Sequence, residues 1–201
     1  MNPNQALWEK GDFTRIAETM RESGEALVQR IGIEKGLKVL DLGCGDGTTA
    51  LPAAKLGADV LGVDIARNLV EAGNKRAAKH GLANLKFQEG DATHLHELPD
   101  KAFGIESSVI ERFAGAGVSS KKISFVRDTF TFNFPGAPSV LVDEFREYYG
   151  PTMNAFDTAE KNGRAAELQK ELEDLFHSQN KSPRKDATSI PATFLRVTVA
   201  L

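Results

Sequence analysis

In Asp41-Leu42-Gly43-Cys44-Gly45-Asp46-Gly47 every second residue from Gly43 is a glycine, and an acid, Asp64, stands 19 positions beyond Gly45. Glycine lets a chain turn tightly after a strand and bring bare backbone against a ligand, because a Cβ there would clash or force a disfavoured φ. The dinucleotide fingerprint G-x-G-x-x-G asks for a third glycine where this chain has Thr48. Asp41, two residues before the first glycine, places a carboxylate where the pyrophosphate of NAD would arrive, and the two repel. A cofactor with an ammonium group and no phosphate suits such a turn better. S-adenosylmethionine, with its amino-acid tail and sulfonium, meets that description, and NAD is the weaker alternative.

From Val39 to Ala92 the chain resembles the class I S-adenosylmethionine-dependent methyltransferases, and it does so at three successive places. The family's first motif is matched by Asp41-Leu42-Gly43-Cys44-Gly45-Asp46-Gly47. The resemblance implies that Asp41, Gly43, Cys44 and Gly45 approach the methionine part of the cofactor. The second is matched by Val60-Leu61-Gly62-Val63-Asp64, followed by Ile65. There the acid would accept hydrogen bonds from both ribose hydroxyls. The third is Leu85-Lys86-Phe87-Gln88-Glu89-Gly90-Asp91-Ala92, which would place Asp91, with Ala92 beside it, near the adenine amino group. Read without the resemblance, Asp64 could equally cap a helix, since a carboxylate stabilises a helix N-terminus. Gly90-Asp91 could be an ordinary turn, and Asp46 could contact the cofactor tail or cap the helix at Thr48.

Alternating strands and helices must position these motifs. The pattern predicts strands over Lys38 to Leu42, Asp59 to Asp64 and Leu85 to Glu89. Helices fall between them, from about Thr48 to Lys55 and through Leu69, Val70 and Ala77 to Gly81. Such alternation predicts a parallel sheet with helices on both faces. Right-handed crossovers then bring all three motif loops to one sheet edge, where open α/β sheets bind ligands. Ahead of the sheet, Ile16, Ala17, Met20, Leu27 and Val28 mark an amphipathic helix over Thr14 to Arg30. Trp8 lies in a turn-prone stretch before it, as part of a lid over the cofactor or as an anchor for the helix.

After Ala92 the pattern departs from the family. The chain runs from Phe103 straight into a helical pattern over Ile105 to Phe113, where the family would place a fourth strand, a helix and a fifth strand. The missing piece amounts to roughly two βα units of about 30 residues each. A strand over Lys122 to Phe134, helices over Val140 to Tyr149 and Arg164 to His177, and an antiparallel closing strand over Thr193 to Leu201 complete the reading. Gly150-Pro151 is expected to break the first of those helices. The whole is read as one α/β domain of Rossmann-like methyltransferase type, 1–201. It comprises an N-terminal lid or helix (1–30), a cofactor-binding half (36–103) and C-terminal helices with a strand pair (105–201). The shortened sheet would leave an edge beside the first strand open to a second copy.

The 201 residues, 41% of them hydrophobic, suffice for one core. A net charge of -3 lacks the basic excess that phosphate backbones require, which argues against nucleic acid as substrate. The single cysteine, Cys44, excludes an internal disulfide and a paired thiolate metal site. It is read as packing behind the cofactor. No apolar run is long enough for a membrane span and the N-terminus is too polar for a signal peptide, so a cytoplasmic protein is expected. His94 and His96 have the spacing of paired metal ligands but lack a third, and no metal is expected. Tyr148 and Tyr149 either line an acceptor pocket or pack the core. The expected function is methyl transfer from S-adenosylmethionine to an unidentified small-molecule acceptor. The alternatives are a binding module that holds the cofactor without turnover and, less favoured, an NAD-linked oxidoreductase.

Overall fold

The computed structural model of the protein describes residues 2–91, 106–115 and 117–199. These form two compact units, one drawn from 1–92 and 131–191, the other from 93–130 and 192–201. The junction at 103–105, where the sequence places the missing segment, lies outside the described residues, as do Ala92, His94 and His96.

The first unit is built on three parallel strands, β1 (Lys38–Leu42), β2 (Asp59–Asp64) and β3 (Leu85–Glu89), in the order β1-β2-β3. Val39 lies opposite Val60 and Val60 opposite Leu85, so the apolar positions of all three strands share a row. Two crossover helices, α4 (Ala50–Lys55) and α5 (Arg67–Lys79), join them. Four of the six residues of α4 (Ala50, Leu51, Ala53 and Ala54) are buried, three of them small enough to bring the helix close to the strands. Leu69, Val70, Gly73 and Ala77 make the buried stripe of α5, a helical period that was legible in the sequence. Gly81, at φ +66°, ends it in the left-handed conformation that favours glycine.

Phe87 of β3 is the centre of this core. A Cβ added at Gly47, Gly62 or Gly73 would lie 2.6, 2.7 or 2.8 Å from its ring. The ring therefore occupies space that side chains on the glycine turn, on β2 and on α5 would otherwise fill.

Among the described residues β1 is paired on its β2 side alone. Leu40 and Leu42 on this edge strand are 58% and 45% exposed. The antiparallel ribbon of β4 (Ile123–Phe134) and β5 (Thr188–Val199) is a separate two-stranded sheet. Its register is marked by Asn133 against Ser189 in the first unit, and by Phe130 against Phe194 and Asp128 against Arg196 in the second. β5 begins five residues before the expected Thr193, because Thr188 is already anchored through its hydroxyl to the Gly136 carbonyl at 2.7 Å.

The helical segments depart from the sequence expectation in three places. The helix expected over Thr14 to Arg30 is two, α2 (Phe13–Glu18) and α3 (Arg21–Arg30). At the corner between them the Thr19 carbonyl accepts from the Asn133 N–H at 2.7 Å, a long-range bond that competes with helix continuation. Ahead of α2, the stretch read as a turn around Trp8 contains a short helix, α1 (Pro3–Trp8), capped by Asn2. Gly150-Pro151 ends α7 (Pro138–Tyr148) but also opens α8 (Gly150–Lys161), since proline in the first turn loses no hydrogen bond the helix needs. α9 (Ala165–Gln179) follows, and the second unit contains α6 (Glu106–Gly115).

Candidate functional site

The turn after β1 holds Gly43, Gly45 and Gly47 at φ +69°, +55° and +92°. All three are in the region that other residues rarely enter. The turn is tied to β2 by the Gly43 and Cys44 N–H groups, which donate to the Val63 carbonyl at 2.8 and 3.2 Å. A Cβ at Gly43 would meet nothing within 4 Å, whereas Gly45 backs onto the Phe13 ring. The backbone at Gly43 is thus bare and faces open space.

Asp64 closes the turn from β2. One carboxylate oxygen accepts from the Gly45 N–H at 2.8 Å, the other from the Ala66 N–H at 2.9 Å, and the residue is 8% exposed. Asp64 does not cap α5, whose N-cap is Ala66 with no side-chain cap bond; it holds the N–H of that N-cap residue instead. The acid ties the turn to the start of α5, and each oxygen keeps a second lone pair for a ligand hydroxyl. Ile65, next to it, is half-buried.

Asp41 accepts from the Thr49 hydroxyl at 2.8 Å. Burial is the largest influence on its carboxyl and raises its pKa, with the nearby Asp64 charge adding to the shift and the Thr49 bond opposing it. A carboxylate whose folded pKa is raised gives stability that is present in acid and lost as pH climbs through the raised value. Asp41→Asn keeps an acceptor for Thr49 and removes that loss. It is expected to match the wild type in urea unfolding below the ordinary carboxylate value of 3.8, and to exceed it increasingly as pH rises through the raised pKa. Equal stabilities at neutral pH would contradict the burial of this charge.

Cys44 is buried in the core cluster, its sulfur 2.9 Å from where a Gly62 Cβ would stand, and burial pushes its thiol pKa up. That is the packing residue the sequence suggested, with no thiolate character. Asp91 receives a 2.7 Å hydrogen bond from the Asn2 side-chain amide. Gln5 donates to Glu89 at 3.0 Å, and Glu9 accepts from the Arg67 N–H at 3.1 Å. Helix α1 thus reaches the residues that end β3 and open α5. Its C-terminal end is held by an aromatic group of Trp8, Phe13 and Tyr149, with ring centroids 5.8 to 5.9 Å apart and Trp8 edge-to-face on Phe13. Trp8 thus anchors α1 on Phe13 and Tyr149. Tyr149 belongs to this packing, and Tyr148 lies under the Arg15 guanidinium at 5.2 Å.

Two residues at the turn had no signal in the sequence. Arg21 of α3 and Arg76 of α5 both reach Asp46, which is 2% exposed. Its Oδ2 is engaged by both arginines, and no side-chain bond caps the start of α4. Burial and the neighbouring Arg21 hold the Arg76 guanidinium below its usual range, against the pull of Asp46. Among the described residues no group of three His, Cys, Asp or Glu side chains gathers as a metal site, and no helix is long and apolar enough to cross a membrane.

Residues 33–122, which contain the glycine turn, β1 to β3 and their crossovers, match the family described as Methyltransferase domain. Over this stretch, a little under half of the chain, the sequence is similar to that family. The family's cofactor is S-adenosylmethionine. The uncharacterized protein Rv1405c of Mycobacterium tuberculosis is 38% identical over 112 residues, covering 55% of this chain and 40% of that protein. The 23S rRNA (uracil(1939)-C(5))-methyltransferase RlmD of Alkalilimnicola ehrlichii is 40% identical over 84 residues, 41% of this chain and 19% of that enzyme. The chain thus spans well under half the length of the relatives it matches. An RNA methyltransferase from Salinibacter ruber, solved with S-adenosyl-L-homocysteine, shares 27% identity over 36% of this chain and 49% of that one, with a TM-score of 0.35.

Proposed function

We propose that this chain binds S-adenosylmethionine at the turn between β1 and α4 and transfers its methyl group to a small-molecule acceptor. The observation that carries the reading is the bare, left-handed backbone at Gly43, open to solvent space beside two acids, Asp41 and Asp64. That surface suits a cofactor with an ammonium group and no phosphate. When bound, the cofactor supplies an activated methyl on a sulfonium. The chain's own share is to hold the turn, orient the ligand and exclude water. Asp64 would take the ribose hydroxyls on its remaining lone pairs, and Asp91, released from Asn2, would face the adenine amino group. With α1 reaching the end of β3, a nucleoside there would be covered.

Calorimetric titration with S-adenosylhomocysteine and with NAD tests the cofactor. Binding of the first and not the second is expected, and the reverse would favour the oxidoreductase. A second reading, a module that binds the cofactor without turnover, is favoured by β1 standing at the sheet's edge among the described residues, where the family's fourth strand would supply one wall of the acceptor pocket. A transfer screen with methyl-labelled cofactor separates the two. Labelled product supports the transferase, and tight binding with no product across acceptors supports the module.

A further inference from the structure

Three glycines within five residues make the turn flexible before it folds, and its ordering correspondingly costly. Something must hold it. The buried Asp46 carboxylate is held by two arginines that come from two helices, α3 and α5. Arg21 bonds Asp46 Oδ2 through one terminal nitrogen and the Thr48 hydroxyl through the other, at 2.6 Å. Arg76 Nη1 donates to the Asp46 backbone carbonyl at 2.6 Å and stands 3.3 Å from the same carboxylate oxygen. The other oxygen, Asp46 Oδ1, is buried with no hydrogen-bond partner.

Stability alone does not account for this cluster. Buried ion pairs commonly do no better than well-packed apolar residues of similar volume, and a buried oxygen left unsatisfied is a net penalty. What the cluster does achieve is geometric. It fixes the backbone at Asp46 and the side chain at Thr48 from two helices at once, on either side of the left-handed Gly47.

We propose that Arg21 and Arg76 are positioning residues of the cofactor site, holding the glycine turn in its ligand-binding shape before the ligand arrives. The inference rests on the cofactor reading above. Without the clamp, ligand binding must itself order the turn, and reordering even one residue lowers affinity about tenfold.

The test uses the full chain and S-adenosylhomocysteine as probe, with affinity measured by calorimetric titration well below each variant's unfolding midpoint. Arg21→Gln and Arg76→Gln are expected to bind about tenfold more weakly than wild type, with a less favourable binding entropy. A merely structural role would shift the midpoint and leave the affinity of the folded protein unchanged, and that result overturns the proposal. Should the glutamine variants fail to fold, Arg21→Lys and Arg76→Lys decide. Lysine keeps the charge against Asp46 but cannot hold two partners in a rigid fork. Weakened binding by the folded lysine variants supports positioning, and wild-type affinity in both overturns it. A wild-type chain that binds no S-adenosylhomocysteine is a different outcome, which removes the cofactor reading itself.

Discussion

Asp64→Ala is expected to weaken S-adenosylhomocysteine binding by at least about tenfold and to lower the thermal unfolding midpoint as well. With the ribose contact that the resemblance implies as the only role of the acid, the fold would be left intact. The structure adds the second effect, because both carboxylate oxygens already hold backbone N–H groups, at Gly45 and Ala66. Hydrogen bonds to a charged group contribute about 1.5–3 kcal/mol each, so their combined loss amounts to roughly 3–6 kcal/mol. At about 2–4 °C per kcal/mol for a chain of this size, the shift is easily read by calorimetry. The two readouts separate the roles. An unchanged dissociation constant in the folded variant removes the ribose assignment, and an unchanged midpoint contradicts the tie between turn and helix.

Phe87→Ala should destabilise the sheet by about 3–5 kcal/mol. Its ring is in contact range of three glycine positions on three different elements, none of which has a side chain to fill the space it leaves. The cavity would open beneath Gly47, so loss of cofactor affinity is expected to accompany the loss of stability. A double-mutant cycle makes the claim sharper. Gly73→Ala alone sets a Cβ 2.8 Å from the ring and should destabilise. In the Phe87→Ala background the same methyl enters vacated space and should be neutral or stabilising. Additive effects of the two substitutions would show that ring and glycine do not share one packing site.

Local chemistry wrote much of this in the sequence. The three parallel strands were legible because β1 and β2 are short, largely apolar runs, β3 alternates apolar and polar residues, and each ends at a glycine or an acid; α5 and α9 were legible because their apolar stripes keep a helical period. The glycine turn and Asp64 were legible for the same reason, since conformation and spacing are properties of neighbouring residues. What remained hidden depends on distant partners. The break between α2 and α3 follows from a bond between Thr19 and Asn133, and no local pattern announces it. Arg21 and Arg76 each sit on helices that read as ordinary, and Asp46, on the turn between them, offered a ligand contact or a cap as readily as an ion pair. The Gly150-Pro151 pair carried a signal with two meanings, the end of one helix and the beginning of the next, and only the first was taken.

The way the first unit is stitched together has a bearing on its order of assembly. The Asp12 N–H donates to the Tyr148 carbonyl, and Gly11 and Tyr149 form an isolated bridge. Lys10 pairs with Asp157, 147 positions away. Contacts of such separation are late to form, because the loop between them must first be closed. The sheet and its crossovers, by contrast, occupy one continuous stretch from Lys38 to Glu89. On a ribosome the glycine turn can therefore acquire its neighbours while the helices synthesised before it are still waiting for α7 and α8 to emerge. Helices α1 and α2 are thus expected to settle onto the sheet only after α7 and α8 have formed, although they precede it in the sequence.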